Sequence, residues 1–373
     1  MLHHLTKTYA LNHAPIPFHF SQNARDFIVR EVPLYPFSNN GEHLILKIRK
    51  KGLSTQEMLK ILSSYTGNKI FGYAGLKDKS ATTTQYISLH KNFSTQIQNS
   101  LPQLEERGIK ILEQTFHCNK IRIGHLKGND FFIRLKKVTP VAAMQIKEAI
   151  EKIKFQGLPN YFGYQRFGKN FNNHFDGEKI LKKEIKIRNK ITQNFLISSY
   201  QSHLFNLWLD YRIKLCKIFE NFTPQEIYQA LKMQNLHLDI SHIKELLQQD
   251  HFYKIFRGDV LSHYPTGKVF CTQNDPYDLG RFQERSLSPT GPIFGKKLFE
   301  SQDFSKTIES KFCPNHLAIQ PNGTRRYAWI WAENISYTYI EDKAQFELEF
   351  FLPKGSYATI FLEEIAHRLL QID

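Results

Sequence analysis

The sequence predicts an α+β fold, in which a mixed or antiparallel sheet is flanked by helices and interrupted by a large, mainly helical α/β insertion. Strand-like and helix-like patterns alternate within residues 1–186 and return within 315–373, whereas residues 187–314 are mostly helix-like. The length of 373 residues also exceeds what one hydrophobic core usually supports. We therefore expect one domain built from residues 1–186 together with 315–373, and an inserted subdomain over 187–314.

The first well-marked elements are a strand and the helix that follows it. Residues 43–49 place alternate leucine and isoleucine side chains on one face, as a half-buried strand does. Ser54 and Glu57 have the spacing of a capping box, so a helix is expected to begin there. Gly67 is suited to end it, because glycine adopts the left-handed conformation of a helix C-cap.

The next elements extend the sheet and add a second helix. Residues 118–124 and 130–138 are strand-like, and the connection between them, 125–129, is rich in turn-forming residues. Residues 141–154 carry apolar side chains at helical spacing.

The insertion is expected to contain three helices and a Gly/Pro-rich stretch. One helix covers about 198–219, a second opens at Thr223 with a capping box and a proline at its first position, and a third opens at Ser241. The Gly/Pro-rich stretch spans 264–295.

The C-terminal part returns to strands, at 328–336 and 345–352, and closes with a helix over about 359–370. We expect these elements to rejoin the N-terminal sheet across the insertion.

The charge of the chain points to a polyanionic partner. Fifty Lys and Arg residues against 35 Asp and Glu give a net charge of +15, spread along the whole sequence. A folded basic surface suits RNA or DNA, although a generally basic proteome would produce the same composition.

Several classes of protein lack support in the sequence. No apolar stretch approaches the roughly 20 residues that a membrane span needs. The histidines lack zinc-site spacing, and neither a P-loop nor a G-x-G-x-x-G segment occurs, so we expect no metal and no nucleotide cofactor. We expect the four cysteines, Cys118, Cys216, Cys271 and Cys313, to be reduced, buried thiols in a cytoplasmic protein.

The most informative segment covers residues 75–85, which read GLKDKSATTTQ. It places Asp78 between two lysines on a glycine-led turn that runs into a β-prone stretch. Such a positive surrounding keeps a carboxylate ionised and attracts a polyanion. Asp78 is therefore a candidate catalytic carboxylate, although an Asp in such a turn can equally serve only as a backbone hydrogen-bond acceptor.

A second segment, residues 157–168, reads GLPNYFGYQRFG. Its glycines allow close approach of the backbone to a ligand, its amides can read the edge of a base, and its aromatic rings can stack on the face of a base. A loop packed onto the core by its aromatic side chains is the alternative.

Both segments resemble motifs of the TruD family of tRNA pseudouridine synthases. The segments DFIVRE at 26–31, HLKGNDF at 125–131, RNK at 188–190 and FFLPKGSYAT at 350–359 resemble further motifs of that family, in matching order. The resemblance implies a pseudouridine synthase-type sheet with an inserted TRUD-type subdomain, and it makes Asp78 the catalytic carboxylate. The family often has a basic residue upstream of the first of these segments, where this chain has Ser21.

The resemblance also implies roles for other residues. Phe27, Asn160, Phe162 and Phe350 would contact the substrate, with core packing as the alternative for the two strand phenylalanines, and Phe351 would point to the opposite face of its strand. We expect phosphate contacts from five basic residues: Lys77, Lys79, Lys127, Arg166 and Arg188.

The function implied is the isomerisation of uridine to pseudouridine in tRNA, at position 13, by a monomer that uses no cofactor or metal. A non-catalytic basic RNA-binding protein such as a tRNA chaperone would share the charge and the aromatic residues. An RNA methyltransferase would need a methyl-donor pocket, for which no glycine-rich strand–helix turn is evident.

Overall fold

The computed structural model describes residues 7–168, 170–317 and 321–370. The strands are β1 (Phe27–Pro33), β2 (His43–Lys50), β3 (Gly72–Tyr73), β4 (Thr82–His90), β5 (Ile109–His117), β6 (Leu126–Lys136), β7 (Leu158–Pro159), β8 (Val260–His263), β9 (Val269–Cys271), β10 (Leu287–Ile293), β11 (Thr324–Tyr327), β12 (Trp329–Ile330), β13 (Glu333–Ile340) and β14 (Gln345–Pro353). The helices are α1 (Thr55–Thr66), α2 (Ser94–Asn99), α3 (Leu101–Glu106), α4 (Pro140–Gln156), α5 (Asn173–Leu181), α6 (Lys190–Asn221), α7 (Pro224–Met233), α8 (Ile240–Leu247), α9 (Pro276–Gln283), α10 (Asp303–Ser310) and α11 (Ala358–Ala366).

The chain divides into two compact units, each formed from separated stretches of sequence. The first contains Met1–Ala14, Phe155–Trp331 and Thr359–His367, and the second contains Pro15–Lys154, Ala332–Ala358 and Arg368–Asp373. These bounds differ from the expected 187 and 314.

The first unit contains more of the chain than the predicted insertion, because residues outside 187–314 contact it through long-range interactions. Strand β7 pairs with β12, so residues just after α4 are tied to residues well beyond position 314. The backbone N–H of Leu11 donates to the buried carboxyl of Glu364 at 2.8 Å, which joins the N-terminal stretch to α11. Neither pairing leaves a local pattern in the sequence.

The second unit is built on a mixed sheet, which confirms the predicted fold class. Within the described residues this sheet has eight strands in the order β13–β14–β6–β1–β4–β2–β5, with β3 also paired to β4. The β1–β4 pair is parallel, whereas β6 and β14 pair antiparallel. The C-terminal strands therefore rejoin the N-terminal sheet, as predicted.

Helix α1 shows how local sequence fixes an element of this unit. The Ser54 hydroxyl accepts from the Glu57 backbone N–H, while the Glu57 carboxylate accepts from the Ser54 N–H at 2.7 Å. Gly67 ends the helix in the left-handed conformation, with φ of 73°. Met58 and Leu62 lie in the same buried hydrophobic cluster as Leu44, Leu46 and Ile48 of β2.

Two sequence-based assignments in this unit were wrong. The strand expected at 118–124 is not formed; β5 ends at His117, because it is Ile109 to His117 that pairs with β2. Strand β6 begins at Leu126 rather than near Asp130, and Gly128 lies within it, paired with Pro353 of β14. Pairing with a distant strand overrode the turn-like composition.

The first unit is mainly helical around a small sheet. The long helix α6 begins at Lys190, earlier than expected, because Asn189 caps it by accepting from the N–H groups of Ile191 and Thr192. Helix α7 has the predicted capping box of Thr223 and Glu226. Within the described residues, the larger sheet of this unit has the order β11–β10–β8–β9, and β7 and β12 form a separate two-stranded sheet.

A buried ion pair ties α6 to the loop before β8. The guanidinium of Arg212 donates to both carboxylate oxygens of Asp259, at 2.6 and 2.9 Å. Ser305 donates to the same carboxylate at 2.6 Å, and the burial that would penalise these charges is thereby offset.

Cysteine placement corrects one expectation. All four cysteines lie outside disulfides, but only Cys216 is buried; Cys118 and Cys313 are exposed. In the described part of the chain, no helix combines the length and apolarity that crossing a membrane requires.

Candidate active site

The loop that carries Asp78 connects β3 to β4 in the second unit, and the Asp78 side chain is exposed. Its backbone is held at two points. The Lys77 N–H donates to the hydroxyl of Thr55, the first residue of α1, at 2.9 Å. The Lys50 ammonium donates to the Asp78 carbonyl at 3.0 Å. The Asp78 carboxylate is therefore exposed, while the backbone of its loop is held by hydrogen bonds.

The side chain of Lys77 also holds this loop, through contacts with two neighbouring strands. Its ammonium lies 3.0 Å from the Glu31 carboxylate, with side-chain exposures of 6% and 1%, and donates to the Asn129 amide oxygen at 2.7 Å. The lysine therefore ties the loop to β1 and β6. This buried position is unfavourable for the phosphate contact expected of Lys77, because its donors are directed into the protein.

Lys79 differs from Lys77. Its side chain is 60% exposed and pairs with Glu57 at 2.9 Å. Hydrogen bonds from Ser54 and from Lys79 hold the pKa of Glu57 down, to about 2. Lys79 stays accessible to an anion in solution.

Three phenylalanine rings form a ladder on the sheet face. The rings of Phe27 and Phe131 are stacked with centroids 6.1 Å apart, and those of Phe131 and Phe350 with centroids 5.3 Å apart. The structure thus brings Phe27 and Phe350 together through Phe131. All three are at most 6% exposed. The sequence placed Phe131 in a predicted strand and at the end of the HLKGNDF segment, without giving it a role in the site.

The register of the sheet places Lys50, which holds the Asp78 carbonyl, on the same face as the three phenylalanines. Five residues on five adjacent strands form one row across the sheet, in the order Lys50, Thr83, Val29, Phe131 and Phe350, each directly opposite the next. Residues directly opposite each other in adjacent strands share a face. The lysine that holds the Asp78 carbonyl and the phenyl ladder therefore lie on one row of the sheet.

The HLKGNDF segment contributes a close strand contact. A Cβ on Gly128 would lie 2.1 Å from the Leu352 carbonyl oxygen and 2.5 Å from the Phe351 ring, so only glycine fits. Phe351 pairs with Asp130, one pleat from the Phe350–Phe131 pair, on the opposite face as expected. Lys127 is exposed.

A second group of candidate residues lies in the first unit, around Asn160. This side chain is 3% exposed, and its amide is used internally. Its nitrogen donates to the Tyr327 carbonyl at 3.0 Å, and its oxygen accepts from the Arg326 guanidinium at 2.9 Å. Asn160 is therefore a link between the 157–168 segment and β11.

Arg326 also lies on the Phe162 ring, with its guanidinium carbon 3.9 Å from the ring centroid. Phe205 meets the same ring edge-on at 5.5 Å, and Asn206 accepts from the Phe162 backbone N–H at 2.8 Å. These contacts fix a partly exposed ring. The sequence did not single out Arg326, because nothing local distinguishes it from its neighbour Arg325.

The two remaining basic candidates differ in exposure. Arg166 is half-buried and donates to the hydroxyls of Ser198 and Ser202, at 2.7 and 3.2 Å, on α6. Arg188 is exposed just before α6 begins. Among residues 7–168, 170–317 and 321–370, no three His, Cys, Asp or Glu side chains are grouped in a way that would hold a metal ion.

Comparison with known proteins identifies the family to which the chain is similar. The family model described as tRNA pseudouridine synthase D (TruD) matches residues 5–191 and 187–365. The chain is 49% identical over 371 residues to "tRNA pseudouridine synthase D" of Wolinella succinogenes, covering 99% of this chain and 100% of that protein. The protein of the same name from Sulfurimonas denitrificans is 47% identical over 98% of this chain and 99% of its own length.

A solved structure has the same fold. The crystal structure of the putative tRNA pseudouridine synthase D (TruD) from Methanosarcina mazei superposes with a TM-score of 0.66, covering 98% of this chain and 97% of that one, at 20% identity. The near-complete match to the family model and to relatives at almost 50% identity establishes that the chain belongs to the tRNA pseudouridine synthase D (TruD) family.

Proposed function

We propose that the protein isomerises uridine to pseudouridine in tRNA, at position 13, with Asp78 as the single catalytic carboxylate and without a cofactor. The observation that carries the proposal is the placement of Asp78: an exposed carboxylate on a loop anchored to the sheet face that holds Phe27 and Phe350. The names of the relatives support the reaction class. The enzyme is proposed to act as a cytoplasmic monomer.

The reaction makes modest chemical demands. The C1′–N1 glycosidic bond breaks, the uracil turns, C5 bonds to C1′, the hydrogen of C5 leaves as a proton, and N1 takes up a proton in its place. The proton lost at C5 and the proton gained at N1 balance and no oxidation state changes, so a carboxylate that acts as nucleophile or base can serve without a redox cofactor. Asp78 can serve by attacking the sugar, by attacking the base or by removing a ribose proton.

The target uridine must leave its stack to reach Asp78. Unstacking costs a few kcal/mol, which contacts to the extruded base and to phosphates offset. Phe27 and Phe350 are 5% and 2% exposed, so we propose that the ladder forms a wall of the uracil pocket rather than an open stacking platform.

The Asn160 group is proposed to act by orientation. Since both ends of the Asn160 amide are engaged within the protein, its role would be to set Arg326, and through Arg326 the partly exposed Phe162 ring, which would contact the substrate. Lys79, Lys127 and Arg188 are exposed and stay candidates for phosphate contacts. Arg166 is a weaker one, because two serines already accept from it.

Tritium release tests the proposal. Transcribed tRNA carrying 5-tritiated uridine is incubated with the protein and no additive; isomerisation at C5 releases the label, whereas a chaperone releases none and a methyltransferase requires its donor. Asp78→Asn should abolish release and keep tRNA binding within about threefold of wild type. Release by the Asp78→Asn protein at the wild-type rate would refute the assignment of Asp78.

A further inference from the structure

Lys50 is the least expected side chain beside the proposed site. It ends β2 and is 0% exposed. Lysine is almost never fully buried unless it is paired, because removing its charge from water is costly. A buried lysine therefore needs a stabilising environment, and its surroundings should show what it does.

The ammonium has three N–H donors, and each has an acceptor. It donates to the carbonyls of Leu53 at 2.5 Å, of Asp78 at 3.0 Å and of Lys77 at 3.3 Å. Leu53 precedes α1, whereas the other two carbonyls belong to the loop between β3 and β4 that carries Asp78. One side chain thus joins the loop to the helix start and to the end of β2.

Charge complements this geometry. Burial lowers the pKa of Lys50 to about 8, and the positive charge of Lys77 acts in the same direction. The negative charges of Asp78 and Glu57 oppose this and raise the pKa of Lys50. Lys77 is itself paired with Glu31, and Glu57 with Lys79. Lys50 is thus protonated at neutral pH, and it is close enough to Asp78 for the two charges to interact.

We propose that Lys50 is a positioning residue for the reaction, which fixes the Asp78 backbone through its carbonyl and places a buried positive charge beside the Asp78 side chain. This inference rests on the proposed role of Asp78. It assigns to β2 a function that the GLKDKS segment does not supply, since Lys77 and Lys79 have carboxylate partners of their own.

The first test separates positioning from binding. Lys50→Met keeps the length of the side chain but removes the donors and the charge. Single-turnover tritium release should fall about 100-fold, because small displacements of a catalytic group cost that much, while the Kd for tRNA stays within about twofold. Lys47→Met is the matched control on the same strand: Lys47 faces the other side of the sheet, pairs with Glu113 and should have wild-type kinetics.

The second test uses charge and works even if Lys50→Met does not fold. Wild-type single-turnover rates should decline above about pH 8, where Lys50 loses its proton. In Lys50→Arg the guanidinium remains charged, so the decline should move at least one pH unit higher. An unchanged alkaline decline in a folded Lys50→Arg protein would overturn the inference.

The outcomes also distinguish the two proposals. If Asp78→Asn is inactive and Lys50→Met works within about threefold of wild type, only the role of Lys50 is refuted. If Asp78→Asn remains active, the proposed function of Asp78 fails, whatever Lys50→Met does.

Discussion

Replacing Glu364 with glutamine should remove a pH-dependent loss of stability. Glu364 lies on α11, is 2% exposed, and accepts a hydrogen bond from the Leu11 N–H at 2.8 Å. Burial raises the pKa of its carboxyl from 4.5 to about 7, although Leu11 and the nearby charge of Lys7 lower it in part. The folded protein therefore holds a proton that the unfolded chain releases at a lower pH.

The sign and size of the stability change follow from the difference between the pKa of Glu364 in the folded protein and in the unfolded chain. Between about pH 4.5 and 7 the folded state binds more protons at Glu364 than the unfolded state, so stability falls as pH rises and stays low above pH 7. One pKa unit corresponds to about 1.4 kcal/mol, so the shift is worth roughly 3 kcal/mol. Glutamine keeps an oxygen for the Leu11 N–H and does not titrate.

Urea unfolding at pH 5 and at pH 8, followed by circular dichroism, measures this effect. The stability of Glu364→Gln minus that of wild type should be about 2.5 kcal/mol more favourable at pH 8 than at pH 5, because the unfolded carboxyl is already partly ionised at pH 5. Glu148→Gln, which removes an exposed carboxylate on α4, serves as the matched control. A Glu364→Gln difference that does not change with pH would refute the reasoning.

The loop lysines and the basic segment before α6 supply two further predictions. Lys77→Met should destabilise the protein by about 3 kcal/mol, because it leaves Glu31 charged and buried, whereas Lys79→Met at an exposed pair should cost less than about 1 kcal/mol. Thermal unfolding of both variants decides this, and equal stabilities would contradict the buried pairing. Arg188→Ala should weaken tRNA binding and reduce the slope of log K against log salt concentration by about 1 if Arg188 contacts a phosphate. An unchanged slope in filter-binding titrations would exclude that contact.

The sequence by itself determined those features that depend on neighbouring residues. The capping box of Ser54 and Glu57 and the C-cap at Gly67 were correct, because a helix end is satisfied by side chains three residues away. Residues 130–136 are in a strand, as their pattern predicted, since the strand period is fixed by backbone geometry. The segments around Asp78 and Asn160 also indicated the family.

Only the tertiary structure decided which residues surround those segments. Lys50, the Lys77–Glu31 pair and the contact of Arg326 with Phe162 each join residues that are far apart in the chain. The bounds of the compact units and the start of β6 depend likewise on strand pairing across the insertion. Such contacts arise from burial and register in the assembled sheet, and a buried lysine and an exposed one have the same letter in a sequence.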